Sequence, residues 1–223
     1  GGTNELLQRI QQEADAPKAD VMFGGGVESL ESYQDCFSPY ICREAAGISE
    51  QFQAESGYWT PFSALPVVLV YNTKLVAPES LTSWKDLESP AFRGKIAFAD
   101  PQISGSSYTA LVTRLQTGCG MEDSLTRLCT ALDGKQLDSS GAVLTAVADG
   151  SALVGITLEE TALQHIAAGE DIALVYPSDG TSCVPDGSAL VKGAPHGDNA
   201  RLFLDFTVST DVQSMVGQRF CRR

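Results

Sequence analysis

Apolar positions recur with a helical period from Thr3 to Ala14, where Leu6, Leu7 and Ile10 share one face and Gln and Glu fill the rest. The period shortens at Ala19–Phe23, an apolar run that predicts a strand stopped by Gly24, Gly25 and Gly26. Ala64–Tyr71 predicts a second, buried strand, broken by Asn72 and Thr73. From Ser83 onward strand and helix patterns alternate. Lys95–Ala99 predicts a strand, Asp100 and Pro101 a turn, and Ser104–Ser107 the opening of a helix that runs through Leu115. Glu122–Leu132 predicts a helix, Gln136–Leu137 a weak strand, Ala142–Ala148 a helix and Ala152–Thr157 a strand. Glu159–Ala168 predicts a helix closed by Gly169, and Ile172–Tyr176 a strand ended by Pro177 and Gly180. Ser188–Val191 predicts a last strand, and Asn199–Ser209 and Val212–Val216 closing helices.

This alternation predicts an α/β architecture with a largely parallel sheet. Ligands of such sheets sit beyond the carboxyl ends of the strands, at helix N-termini. Three loops meet that description: Gly24–Gly26, Asp100–Ser107 and Thr157–Glu160.

Composition narrows the function. The 223 residues are 43% hydrophobic and 19% charged, which suits one large core or two small ones and excludes disorder as the dominant state. The longest apolar stretch, Leu65–Tyr71, is far short of the roughly 18 residues of a membrane helix, so no span is expected. The net charge of −13, with no Lys/Arg cluster, argues against nucleic-acid binding. Six cysteines without CxxC spacing, and two histidines, argue against a zinc site. The short spacings Cys36/Cys42 and Cys119/Cys129 suit local disulfides in an oxidising compartment, with buried free thiols as the alternative. His165 stands in the Glu159–Ala168 helix with neither an HExxH pattern nor a second His near it, which reads as a surface histidine.

The segments "ADVMFGGG", "GYWTPFSALPVVLVYNTKL", "SWKDLESPAFRGKIAFADPQISGSSYT", "GSALVGITLEETAL" and "LVYPSDGTSCVPDGSALVKGAPH" together resemble the extracellular solute-binding proteins of bacterial ABC importers. Within these type II periplasmic binding proteins the chain is most similar to the ferric-iron/phosphonate/sugar-phosphate-binding-like branch. The resemblance implies a two-lobed α/β fold with mostly parallel sheets and two hinge crossings. Lobe one would be residues 1–74 plus 178–223 and lobe two 75–177, with Val70–Leu75 and Tyr176–Ser182 as hinge strands. It also implies that lobe one starts without the family's usual N-terminal strand. Iron-binding members use an adjacent tyrosine pair, whereas the tyrosines here are isolated and the matching stretch reads Gly155-Ile156-Thr157-Leu158-Glu159-Glu160, which demotes iron. The implied activity is non-enzymatic: periplasmic or extracellular uptake of a small anionic, phosphorylated solute by lobe closure. The chain would act as a monomer, without a cofactor, and partner an ABC importer permease. A ligand-sensing module of a receptor, ferric-iron binding, and a hydrolase or transferase are the alternatives; no nucleophile–base pair supports the last.

Each candidate ligand-binding residue has a second reading. Ser104, Gly105, Ser106 and Ser107 could present backbone donors and hydroxyls to an anion, or simply cap a helix. Gly24, Gly25 and Gly26 could cradle a ligand, or form a tight turn. Glu159 and Glu160 could take hydroxyls or an ammonium, or only stabilise a helix dipole. Thr157 would hold the polar remainder of the ligand together with Glu159 or Glu160, Thr181 would join the site near the second hinge crossing, and Trp59 would line the site or sit in the core.

Overall fold

A computed structural model describes residues 2–54, 56–117 and 121–220. In chain order its elements are α1 (Thr3–Gln12), β1 (Val21–Gly26), α2 (Val27–Ser32), β2 (Phe37–Ser38), β3 (Thr60–Asn72), β4 (Ile96–Ala97), α3 (Gly105–Thr117) and α4 (Met121–Leu132). There follow α5 (Ser140–Ala148), β5 (Val154–Leu158), α6 (Glu159–Ala167), β6 (Ile172–Val175), β7 (Cys183–Val191), α7 (Gly197–Thr207) and α8 (Thr210–Phe220). The chain divides into two compact units, Gly1–Leu65 with Val184–Arg223, and Pro66–Cys183. The division falls inside β3 and at the start of β7, whereas the sequence resemblance points to Val70–Leu75 and Tyr176–Ser182.

In the first unit β7 pairs antiparallel with both β1 (Val21↔Leu190) and β2 (Phe37↔Val191). Strand alternation sends Ala189 and Val191 to one face, against Leu7 and Ile10 of α1 and Leu30 of α2. Leu190 faces the other way, against Ala200 and Leu204 of α7 and against Cys42. Helices therefore cover both faces of a small sheet.

The second unit repeats that layering around the sheet order β6-β3-β5-β4. Val67, Leu69 and Tyr71 of β3 pack with Trp84, Leu87, Phe92 and α3 and α4; Val68 and Val70 pack with α5 and α6 through Val143, Leu144, Val147 and Ala162. Val67 through Val70 are completely buried, so both faces of β3 contribute to a core, at roughly 1.5–3 kcal/mol per side chain. That explains a continuous apolar run rather than an alternating one.

Two sequence expectations need correction here. The sheets are not mostly parallel: β1 and β2 run antiparallel to β7, and β3 antiparallel to both β5 and β6, whereas β4 and β5 are parallel. Helical crossovers do make β4, β5 and β6 point the same way, but β3 is inserted between β5 and β6. A crossover helix fixes the direction of the strands it joins, not their adjacency. The Cys36–Cys42 disulfide is also absent: both are free thiols, as is Cys129. Cys36 packs on the face of β7 that carries Ala189 and Val191, and Cys42 on the face that carries Leu190, so the sheet separates them. Cys119 lies outside the described residues.

The predicted strand at Gln136–Leu137 is reduced to a single parallel bridge, Ala99 to Leu137. No helix among the described residues is long and apolar enough to cross a membrane.

Candidate functional site

In the second unit β4 and β5 are adjacent and parallel, with Ile96 opposite Val154 and Ala97 opposite Gly155. From the end of β4 the chain turns at Asp100, whose Oδ1 accepts Gln102 N–H at 2.8 Å and whose carbonyl accepts Ser104 N–H at 2.9 Å, and α3 begins. From the end of β5 the chain enters α6 directly. Ala110 of α3 packs on the face holding Val154 and Ile156, and Ala162 of α6 on the face holding Val68 and Val70. Two helix N-termini thus flank one sheet edge, one from each face. Such ends concentrate N–H groups without intrahelical acceptors and the positive pole of each helix.

Ser104 is the cap of α3. Its Oγ accepts Ser107 N–H at 3.3 Å and contacts Ser106 Oγ at 3.1 Å. One serine thus meets the capping requirement, and the half-buried Ser106 hydroxyl stands beside it at the helix opening. Thr157 and Glu159 are buried at the end of β5, Glu159 with only 1% exposure, while Glu160 turns aside to accept from Gln164 Nε2 at 2.9 Å. Leu158 pairs with Val67, whose carbonyl accepts the Thr181 hydroxyl at 2.6 Å, so Thr181 lies at the same sheet end as Glu159. The structure therefore brings together Thr157, Glu159 and Thr181 at the end of β5, and Ser104–Ser107 at the end of the neighbouring strand.

Sequence reasoning passed over Tyr176, whose hydroxyl donates to Glu159 Oε1. The signal was available: Tyr176 is the first residue beyond the carboxyl end of β6, which runs in the same direction as β4 and β5.

Gly24–Gly26 and Trp59 belong to the first unit. Gly24 and Gly25 have φ of +80° and +125°, a backbone that side-chain-bearing residues rarely adopt, and a Cβ on Gly25 would lie 2.9 Å from Thr3 Cγ2. Gly25 N–H donates to the buried Asp186, and Gly24 N–H to Ser188 Oγ at 3.3 Å. These glycine donors thus meet side chains of β7. Neither Asp186 nor Ser188 was singled out by the sequence. Trp59 Nε1 donates to Glu31 Oε1 at 2.5 Å, and its ring lies against Gly187.

Helix N-termini at the carboxyl ends of parallel strands, in a two-unit α/β chain, are what the sequence resemblance anticipates. Residues 17–220 match the family described as bacterial extracellular solute-binding protein. The chain belongs to that family. A Haemophilus influenzae protein is 30% identical over 96% of this chain, and iron uptake protein A1 of Synechocystis sp. is 26% identical over 98% of it. The chain spans 65% of the length of each of these relatives. Among solved structures, the periplasmic binding protein AfuA from Actinobacillus pleuropneumoniae, with exogenous fructose-6-phosphate bound, matches 99% of this chain and 73% of its own. The TM-score is 0.89 at 25% identity, so the two-lobed periplasmic-binding-protein class is the fold of this chain.

Proposed function

We propose that this solute-binding protein takes up a small anionic, phosphorylated compound outside the cytoplasm and hands it to the permease of an ABC importer. The observation that carries the reading is the pairing of the α3 and α6 N-termini at the ends of the parallel strands β4 and β5. Gly105 N–H and Ser106 N–H with the Ser106 and Ser107 hydroxyls would meet the phosphate. Thr157, Glu159, Glu160 and Thr181 would receive its hydroxyl or amino substituents. Gly24–Gly26 and Trp59 join the proposal from the first unit, and the lobe closure implied by the sequence resemblance is its mechanism. The AfuA structure, with a sugar phosphate bound, supports this class of ligand.

The similarity to an iron uptake protein favours ferric iron as the second reading. Tyr176 and Glu159, hydrogen-bonded to one another, are the oxygen pair it would call on.

A thermal-shift panel of sugar phosphates, phosphonates, inorganic phosphate, polyamines and ferric citrate tests both. A compound at about 100 times its Kd adds about 2.7 kcal/mol to stability. A rise in melting temperature with a phosphorylated compound is the expected result. A rise with ferric citrate alone turns the assignment to iron, and a flat panel overturns both.

A further inference from the structure

Two of the seven Lys and Arg residues between positions 66 and 183, Arg93 and Arg127, line a cavity of about 300 Å³ in the second unit, and Arg114 and Lys135 bond to residues at or next to its lining. The cavity is lined by Glu88, Pro90 and Arg93 and, from α4, by Arg127, Thr130 and Ala131. Behind it the buried Arg114 of α3 holds Glu88 Oε1 at 2.5 Å. Arg127 approaches Glu88 only at 3.6 Å, beyond hydrogen-bond reach. Arg93 directs Nε and Nη2 to Asp133 Oδ1 at 3.3 and 3.2 Å. Lys135 closes the group, with its ammonium donating to Gly94 carbonyl at 2.8 Å. Glu88 holds Arg114 and Asp133 holds Arg93, so that with Arg127 and Lys135 the cluster carries two positive charges in excess of these two carboxylates, within a chain of net charge −13.

We propose that this cavity is an anion-binding site, separate from the α3 and α6 N-termini, for a small multivalent oxyanion bearing phosphate or carboxylate groups. A guanidinium carries donors in a planar fork, and the bonds above engage only part of each. Arg114 holds Glu88 Oε1 while Arg127 stands 3.6 Å from Oε2 without a hydrogen bond to it, so the Arg127 fork keeps donors for an incoming anion. Arg93 lines the same cavity, and two guanidinium groups in one lining suit an anion with more than one charged oxygen. Thr130, whose hydroxyl donates to Thr126 carbonyl, keeps acceptor capacity for a protonated oxygen.

The test is calorimetric titration of the protein with inorganic phosphate and, separately, with citrate, repeated on Arg127→Gln, Arg93→Gln and the double variant Ser106→Ala with Ser107→Ala. The proposal expects one anion to bind, each arginine variant to weaken it about tenfold, the serine variant to leave this binding unchanged, and added sodium chloride to weaken it. Phosphate and citrate arms separate the two anion types. Binding that survives both arginine changes and disappears in the serine variant would place the anion at α3 and overturn the proposal; so would no binding of either anion at millimolar concentration. Amide NMR shifts on anion addition locate the site without any variant. Changes centred on residues 88–93 and 127–131 sustain the proposal, and changes confined to residues 104–107 and 157–160 reject it.

Discussion

The hydroxyl of Tyr176 donates to the Glu159 carboxylate, joining a half-exposed phenol just past β6 to a carboxylate with 1% exposure at the first turn of α6. The pair bridges two strand ends that β3 separates. Glu159 was legible as a candidate because it follows a strand and opens a helix. Its partner carries a similar mark, one residue beyond the end of β6, but the chain does not show that this tyrosine reaches Glu159 across an inserted strand.

Replacing Tyr176 with Phe should cost about 1–3 kcal/mol, since a buried carboxylate loses a donor while ring packing is kept. Urea denaturation measures it. A loss within about 0.5 kcal/mol, the size of an ordinary surface change, would mean that the hydroxyl contributes nothing to holding Glu159.

The serines of α3 should separate by role. Ser104→Ala removes the cap and should lower stability by about 1 kcal/mol. Ser106→Ala with Ser107→Ala should weaken solute binding by roughly 1–3 kcal/mol while stability changes less. Parallel melts and titrations of the solute found in the panel check both, and equal affinity in the double variant would remove these hydroxyls from the site.

Gly155 of β5 has no room for a side chain. A Cβ there would lie 2.9 Å from Val143 Cγ1, 3.0 Å from Val147 Cγ2 and 3.1 Å from Val70 Cγ2. Gly155→Ala should therefore destabilise the protein by about 1–3 kcal/mol through overpacking between the sheet and α5. A variant as stable as the parent would show that α5 can shift outward at no cost.

Acid should weaken the second unit through Asp86. Burial raises its carboxyl pKa, but hydrogen bonds from Thr82 N–H, Thr82 Oγ1 and Ser83 N–H, at 2.8, 3.0 and 2.9 Å, outweigh that and hold it below the ordinary carboxylate value. The unfolded chain then takes up the proton first as pH falls. The contribution of Asp86 is complete above the unfolded value near 3.8 and is lost as pH drops through the lower folded value. Asp86→Asn should flatten the acid limb of a stability-versus-pH curve measured by urea melts. An unchanged limb would assign it to other carboxylates.

The cysteines should answer to alkylation without reductant. Burial raises the thiol pKa of Cys42, which is 3% exposed, so the native protein should spare it from iodoacetamide while the exposed Cys129 reacts. After unfolding, Cys36 and Cys42 should both be alkylated and be seen so by mass spectrometry. A mass two protons short on that peptide would restore the disulfide that their spacing suggests.

Local signals carried most of the fold. The run Ala64–Tyr71 lies within β3, and the punctuation at Gly169 and Pro177 follows the ends of α6 and β6 closely. Adjacency was not local: alternation says that β4, β5 and β6 share a direction, and only the structure shows β3 between two of them. The site divides the same way. Ser104–Ser107 and Thr157–Glu160 announce themselves by position after a strand, whereas Asp186 meets the Gly25 N–H from 161 residues away. Cys36 and Cys42 misled because proximity along the chain says nothing about which side of β7 each residue takes.

The insertion of β3 also sets a timetable for the folding chain. Val68 pairs with Thr157 on one edge and Leu69 with Val175 on the other, while β1 of the first unit waits for Leu190. The most apolar strand therefore emerges from the ribosome long before either neighbour; the sheet of the second unit waits for β6 and that of the first for β7. Pairings this distant in sequence close slowly, because loop entropy must be spent before any contact repays it. Until then the bare edges of Val67–Tyr71 are the segment on which premature self-association would start.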